Sequence, residues 1–335
     1  MSELQDAKAV VRAYQAALDR ASAGDVASAL APHVSTDFLW RGMHPFYIQN
    51  GAESVADTFW SPLKTALTSL SRREDIFMAG RNQMDGFESV WVVSMGHMMG
   101  LHDAHWLGIP PTRRMTFLRY AEFCKVENGR VTEAAMFCDI PHLMMQAGVN
   151  PFPPQTAAHL VQPGPATHNG VMDAPQAPSE GEKTLAVINA MINDLGTWQS
   201  GLPLVEELAR TWNEDMVWWG PAGIGATYTI QRYAEQHAGP FRAGFTNRTG
   251  TGHLCRLAEG EFGGFFGWPN FTAEATGGFM GLPATGKAGE FRVVDIYRRG
   301  GDKLSENWVF IDLLHWLSGQ GVDVLARMRA GSPLP

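Results

Sequence analysis

KLSENWVFIDLLHWLSGQGV (residues 303–322) is charged, then aromatic, then abruptly helical, and an altered copy, RVTEAAMFCDIPHLMMQAGV (residues 130–149), stands 173 residues earlier. The pairing extends outward without a gap, from Leu107–Val149 against Met280–Val322. Gly108, Pro110, Thr112 and Arg119 meet Gly281, Pro283, Thr285 and Arg292, and Glu133, Phe137, Asp139 and His142 meet Glu306, Phe310, Asp312 and His315. A second ungapped block sets DFLWRG at Asp37 against DMVWWG at Asp215 and runs until Pro62 faces Pro240. The offset falls from 178 to 173 between the blocks, so the first copy holds a net insertion around GLHDAHW. The chain is a duplication, and two units fall short of a solenoid.

Between the copies lies a stretch holding seven of the 20 prolines, too polar and too interrupted to fold alone. The organisation expected is a first unit over 1–150, a Pro-rich linker or surface strap over 151–182, and a second unit over 183–335. Each unit opens with an amphipathic helix, marked by Val10, Val11, Tyr14 and Leu18 or by Leu185, Ile188 and Ile192. A short helix and a strand ending at Trp40 or Trp218 follow, then a third helix over roughly Glu53–Leu70 or Ile230–Ala243. ESVWVVSMG, MTFLRYAEFCKV and VTEAAMFC read as strands, as do GEFGGFFGW, EFRVVDIYRR and KLSENWVFI. Helices first and antiparallel strands after give an α+β class.

At 335 residues, with 45% hydrophobic and 18% charged residues, both units have enough material for a core. The net charge of −8 and the lack of any long basic run argue against nucleic acid as a partner. No window nears the roughly 20 apolar residues of a bilayer span, and the charged N-terminus is unlike a secretory signal, so a cytoplasmic location is expected. Cys124, Cys138 and Cys255 form no CxxC pair and read as reduced buried thiols.

The order of elements, the turns LGIPPTRR and MGLPATGK, and the acidic–aromatic–Asp–helix ending together resemble the SnoaL-like polyketide cyclase family. That resemblance covers nearly everything outside the linker. It implies the nuclear transport factor two-like fold: two tandem cone-shaped units, each a curved antiparallel sheet packed by helices around an apolar pocket. It also implies pairing of units through their sheet faces, here as an internal pseudo-dimer, with association of identical chains a further expectation. In the family's cyclases a pocket aspartate on the last strand acts as general acid/base, assisted by a histidine on the preceding strand. By position the aspartate falls on Met136 and Val309, the histidine on Glu122 and Asp295, and a polar residue ending the first strand on Trp40 and Trp218. The family's catalytic set therefore does not transfer as it stands.

The same positions nominate other chemistry. Glu122 and Asp295 are single carboxylates inside apolar strands at equivalent places. An apolar pocket favours the acid form and moves a carboxyl towards neutrality, which suits proton transfer; the alternative is an outward carboxylate paired with arginine. With Val309 towards the pocket, period-two alternation brings Asn307 and Ile311 with it and turns Glu306 away. Asp139 and Asp312 read as helix caps. His97, His102 and His105 with Asp103 straddle a Gly-rich turn and lack a counterpart in the second copy, so they read as a pocket-mouth loop, with His102 and His105 as polar contacts, and not as a metal site. GLPATGKA places Ala288 after Lys287 and is followed by a strand, so it is a turn and not a phosphate loop. Trp40, Met136, Trp218, Trp219 and Trp268 are expected to wall the pockets, with His44, His237 and Glu274 as polar candidates.

The expected function is acid/base cyclisation, isomerisation or hydration of a small apolar or aromatic carbonyl substrate, with Asp295 or Glu122 as base and no organic cofactor. The alternative is a protein that binds such a molecule without transforming it. In a third reading only one copy is catalytic, the second copy being the candidate.

Overall fold

The structure, a computed structural model, describes residues 3–159, 162–197 and 201–332. They form two compact units, residues 3–150 with 166–175 and 325–332, and residues 151–159 and 162–165 with 176–197 and 201–324. The first unit opens with helices α1 (Glu3–Arg20) and α2 (Val26–Leu30) and strands β1 (Val34–Gly42) and β2 (Tyr47–Asn50). Helices α3 (Gly51–Val55) and α4 (Ser61–Ala66) flank a π-helical turn at Ala56–Trp60. Strands β3 (Leu67–Arg81), β4 (Val90–His102), β5 (Met115–Glu127) and β6 (Arg130–Cys138) follow, and then helix α5 (Ile140–Gln146).

The second unit repeats this plan with α6 (Pro178–Thr197), α7 (Leu204–Leu208), β7 (Trp212–Trp219) and β8 (Ala226–Tyr228). Helices α8 (Ile230–Tyr233) and α9 (Gly239–Gly244) again flank a π-helical turn, at Ala234–Ala238. Strands β9 (Phe245–Gly250), β10 (Cys255–Glu259), β11 (Phe262–Phe266), β12 (Phe271–Ala275), β13 (Ala288–Phe291), β14 (Val293–Gly300) and β15 (Lys303–Ile311) precede α10 (Leu313–Gly319). Helix α11 (Val324–Arg329) belongs, from Leu325 on, to the first unit. No helix among the described residues is long and apolar enough to cross a membrane. All three cysteines are buried and free.

The fold is α+β with helices packed on mixed sheets. The first sheet runs β2-β1-β6-β5-β4-β3 and the second β10-β11-β14-β15-β7-β8. β1 lies parallel to β6, and β7 parallel to β15, where the sequence reading expected antiparallel pairs throughout. The parallel pair follows from connectivity: the chain leaves β1, passes through helices and several strands, and returns beside it, as a parallel pair requires. The stripe Ala7, Val11, Tyr14 and Leu18 buries one face of α1, as its helical spacing dictates.

Several elements differ from their sequence reading. The third helix stops at Ala66, and the stretch beyond is strand β3, paired along its length with β4. Local helical pattern there yields to sheet pairing, helped by Gly96, where a Cβ would collide with the Arg73 carbonyl. β4 runs through to His102, so His97 and His102 do not straddle a turn; five positions apart on one strand, they face opposite sides. The stretch read as a linker yields the start of α6, at Pro178. Its earlier described residues form isolated bridges, Ala158 with Ala226 and Val171 with Phe77, and Trp308 Nε1 donates to the Pro163 carbonyl at 2.9 Å.

The two sheets differ at one feature that shapes the site. β3, β4 and β5 are continuous in the first unit, whereas their counterparts in the second are each broken in two. The outer halves form a separate sheet, β13-β12-β9. Asn270 staples the crease: its side chain accepts from Val293 N at 2.7 Å, its amide donates to the Phe291 carbonyl at 2.8 Å, and its carbonyl accepts from Thr251 N at 3.0 Å. Pro269 beside it can donate no ladder bond, which favours a strand break there.

Asp139 and Asp312 cap the helices that follow them, accepting from His142 N at 3.1 Å and His315 N at 3.2 Å. Asp312→Ala should therefore cost about 1 kcal/mol of stability, the usual worth of an N-cap. Chemical denaturation reads this directly, and an unchanged midpoint would remove the cap as an explanation for the repeated aspartate.

Candidate functional site

The crease opens a cavity of about 150 Å³ in the second unit. Period-two alternation supplies one wall: Val293, Asp295 and Tyr297 from β14, and Asn307, Val309 and Ile311 from β15. Glu306, on the opposite face, pairs with Arg298. Facing residues come from α6 (Met191, Ile192 and Leu195) and from the π-helical turn and α9 (His237 and Phe241). Phe265, Phe271 and Phe291 add aromatic surface. A π turn re-aims side chains and is common at functional sites, and here it carries His237.

Asp295 is the polar centre of this wall. Asn307 Nδ2 donates to its Oδ1 at 3.2 Å, and the Tyr297 hydroxyl is a second donor. Desolvation raises the Asp295 pKa to about 6 against these two opposing hydrogen bonds. Burial, reinforced by Asp295, holds the phenols of Tyr233 and Tyr297 above their ordinary range. A carboxyl group so placed changes charge near neutrality, as a general acid or base must.

Two histidines and two arginines complete the lining. His237 stacks on Trp218, with ring centroids 4.0 Å apart, and burial pushes its pKa down to about 3. Its Nδ1 has no partner among the described residues, so a neutral imidazole offers a hydrogen-bonding edge inside the chamber. His253 stacks on Phe265 at 3.9 Å and is also lowered to about 3, by burial and then by Arg256 and Arg248. Its Nδ1 accepts from Arg256, which leaves the ring hydrogen on Nε2. Arg242 is paired with the buried Glu207. Arg248 lies 4.5 Å over Phe271 and donates to the Leu195 carbonyl, its pKa lowered by burial and by Arg242.

The equivalent place in the first unit is filled by the chain itself. Glu122 is fully buried, and its Oε1 accepts from the Tyr14 hydroxyl at 2.9 Å. Gln15 Nε2 stands 3.5 Å and Arg72 Nη1 3.6 Å from its Oε2. Burial raises the Glu122 pKa while Arg72 and the Tyr14 hydrogen bond oppose the rise. Phe59 takes the position of His237, 5.2 Å from Trp40, and Phe46 stacks on Trp106 at 5.8 Å. Trp40 and Met136 are buried, at 0% and 1% exposure.

The other candidates scatter. Trp218, His237, Asn307 and Val309 line the cavity with Asp295; Trp219, Trp268 and Glu274 do not. Trp219 follows Trp218 on β7 and so faces the other side. Trp268 lies in the crease under the Arg292 guanidinium at 4.2 Å, and Glu274 accepts from Asn247 at 2.9 Å. In the first unit, His44 Nδ1 is 2.6 Å from the Tyr47 hydroxyl, His105 is exposed, and His102 is wholly buried at the end of β4. His97 pairs with Asp75 at 3.3 Å. Among the described residues, no three His, Cys, Asp or Glu side chains are grouped to hold a metal ion. Sequence reasoning missed Tyr297, which alternation from Asp295 would have found, and His253, which no local pattern marks.

Residues 269–318 match the model of the SnoaL-like polyketide cyclase family. That stretch runs from the crease through Asp295 and Asn307 to α10, and so includes the cavity's polar wall. Over that stretch the chain is similar to SnoaL-like polyketide cyclases. Three solved structures similar to it are each about one unit long. A provisionally assigned SnoaL-like polyketide cyclase from Jannaschia sp. CCS1 is 19% identical, with a TM-score of 0.36, covering 46% of this chain and 98% of its own. IdmH from Streptomyces antibioticus, provisionally assigned as a polyketide cyclase, is 19% identical at a TM-score of 0.34, covering 42% and 99%. An NTF2-like protein from Burkholderia xenovorans LB400 is 15% identical at 0.33, covering 42% and 97%. Among curated protein sequences, none matches.

Proposed function

We propose that the second unit is an acid/base enzyme that cyclises, isomerises or hydrates a small apolar carbonyl compound, with Asp295 as general base. The reading is carried by one observation: Asp295 borders an aromatic cavity with its pKa raised to about 6, while its counterpart Glu122 is sealed. Above that pKa the carboxylate can take a proton from a carbon beside a carbonyl. Neutral His237, with a free ring nitrogen, is a hydrogen-bonding group for the oxygen on which charge develops. No step needs the first unit, whose role in this reading is structural.

The pH dependence follows. Asp295 acts as a base only when ionised, so kcat/KM should be flat above about pH 6 and fall about tenfold per pH unit well below it. An acid limb centred near pH 4 would remove Asp295 from the role. To find the substrate, a host metabolite extract is incubated with wild type and with Asp295→Asn, and products are read by mass spectrometry. A product made by wild type alone supports the enzyme. A metabolite retained by both and converted by neither favours the second reading, a binding protein, which the side chains at the family's aspartate position, Met136 and Val309, motivate.

A further inference from the structure

The helix that opens each unit carries one pattern without a gap, AVVRAYQAAL at 9–18 and AVINAMINDL at 186–195. Tyr14 thus corresponds to Met191, and Gln15 to Ile192. In the first unit the Tyr14 phenol is fully buried and donates to Glu122 at 2.9 Å. In the second, Met191 and Ile192 line the cavity that Asp295 borders. Where the first unit sets a phenol against its carboxylate, the second has Met191 at the equivalent place, the carboxylate of Asp295, and a chamber of about 150 Å³. An apolar cavity of that size admits one benzene-like ring.

We propose that the cavity of the second unit binds a single-ring phenol whose hydroxyl donates to the Asp295 carboxylate, as Tyr14 donates to Glu122. The proposal rests on Asp295 being the working carboxylate of the site and names the ligand class that would satisfy it. The flat walls of Phe265, Phe271 and Trp218 suit a ring. Tyr297 and Asn307 occupy two of the roughly four acceptor positions of the carboxylate, which leaves room for a ligand donor. A benzoate would set two carboxylates against each other, and toluene would bring no donor to a desolvated charge.

Calorimetric titration of the full chain with p-cresol, toluene and benzoate at pH 5 and pH 8 tests this. At pH 8 p-cresol should bind about tenfold or more tightly than toluene, because its hydroxyl meets a carboxylate. The preference should shrink at pH 5, where Asp295 is protonated and p-cresol is unchanged. Asp295→Asn should keep toluene binding and lose most of the preference. Met191→Tyr, refilling the space as the first unit does, should abolish p-cresol binding with the circular dichroism unchanged. Equal affinity for toluene and p-cresol in wild type, or undiminished p-cresol binding by a folded Met191→Tyr, overturns the proposal. Turnover separates it from the enzymatic reading: a phenol preference without Asp295-dependent turnover keeps the ligand class and discards the enzyme, and Asp295-dependent turnover without the preference does the reverse.

Discussion

Asp295→Asn should lower turnover by about 10²–10⁴-fold and, at the same time, make the second unit more stable at alkaline pH. The first effect is the ordinary worth of a general base in place. The second comes from the same physical cause. Burial raises the Asp295 pKa from 3.8 to about 6, so the folded state holds this proton more tightly than the unfolded chain. The group's favourable contribution is fully present below about pH 4 and is lost as pH rises through about 6. Asparagine has the same shape, does not titrate, and can still accept from Tyr297. Relative to wild type, the variant should therefore gain about 2–3 kcal/mol between pH 4 and pH 8. Hydrogen exchange at the β14 amides across that range reads the gain. An exchange difference independent of pH would mean that Asp295 titrates normally, and the argument for a base at this position would fall with it. An active-site group that costs stability in its working form is what function at the expense of folding looks like.

The duplication and the strand of Asp295 were legible in the sequence because they depend on spacing. Alternation along KLSENWVFI set Asn307 and Val309 on the cavity side and Glu306 outward with Arg298. The caps at Asp139 and Asp312 were legible for the same reason, being local. What escaped was whatever depends on a partner element. Glu122 and Asp295 look alike in one dimension, each a lone carboxylate in an apolar strand. Their difference is made by Tyr14 and Gln15, over a hundred residues away in sequence, against Met191 and Ile192. The crease is likewise a property of three neighbouring strands breaking together around Asn270, and no single strand announces it. His253, which lies between β9 and β10 where the outer and inner halves of the strand part, lines the cavity. The stretch read as a loop around His97 and His102 is strand because β4 continues to His102 and sets those two side chains on opposite faces.

If the first unit's carboxylate is structural, Arg72 should matter more to folding than any residue of the cavity in the second. Its guanidinium is 3.6 Å from Glu122 and 3.4 Å from Asp19, and lies 5.0 Å over the Tyr120 ring. Arg72→Met keeps the apolar stem and removes the cation, which leaves Glu122 buried with Tyr14 and Gln15 as its donors. Removing one partner of a buried pair typically costs about 3–5 kcal/mol. The loss should be largest at alkaline pH. Without Arg72 the Glu122 pKa rises further, so the side chain escapes more of the penalty by taking a proton at pH 5 than at pH 8. Glu122→Gln added to Arg72→Met should return part of the stability, because no uncompensated charge is left inside. Urea denaturation of the two single variants and the double at both pH values, with exchange at the β5 amides locating the effect, closes the cycle. A cost below about 1 kcal/mol, or one that Glu122→Gln does not relieve, would show the pair to be unimportant to the fold. It would also reopen Glu122 as a functional group. Activity per folded molecule should stay at the wild-type level in all three variants, since the chemistry proposed for Asp295 takes nothing from this site.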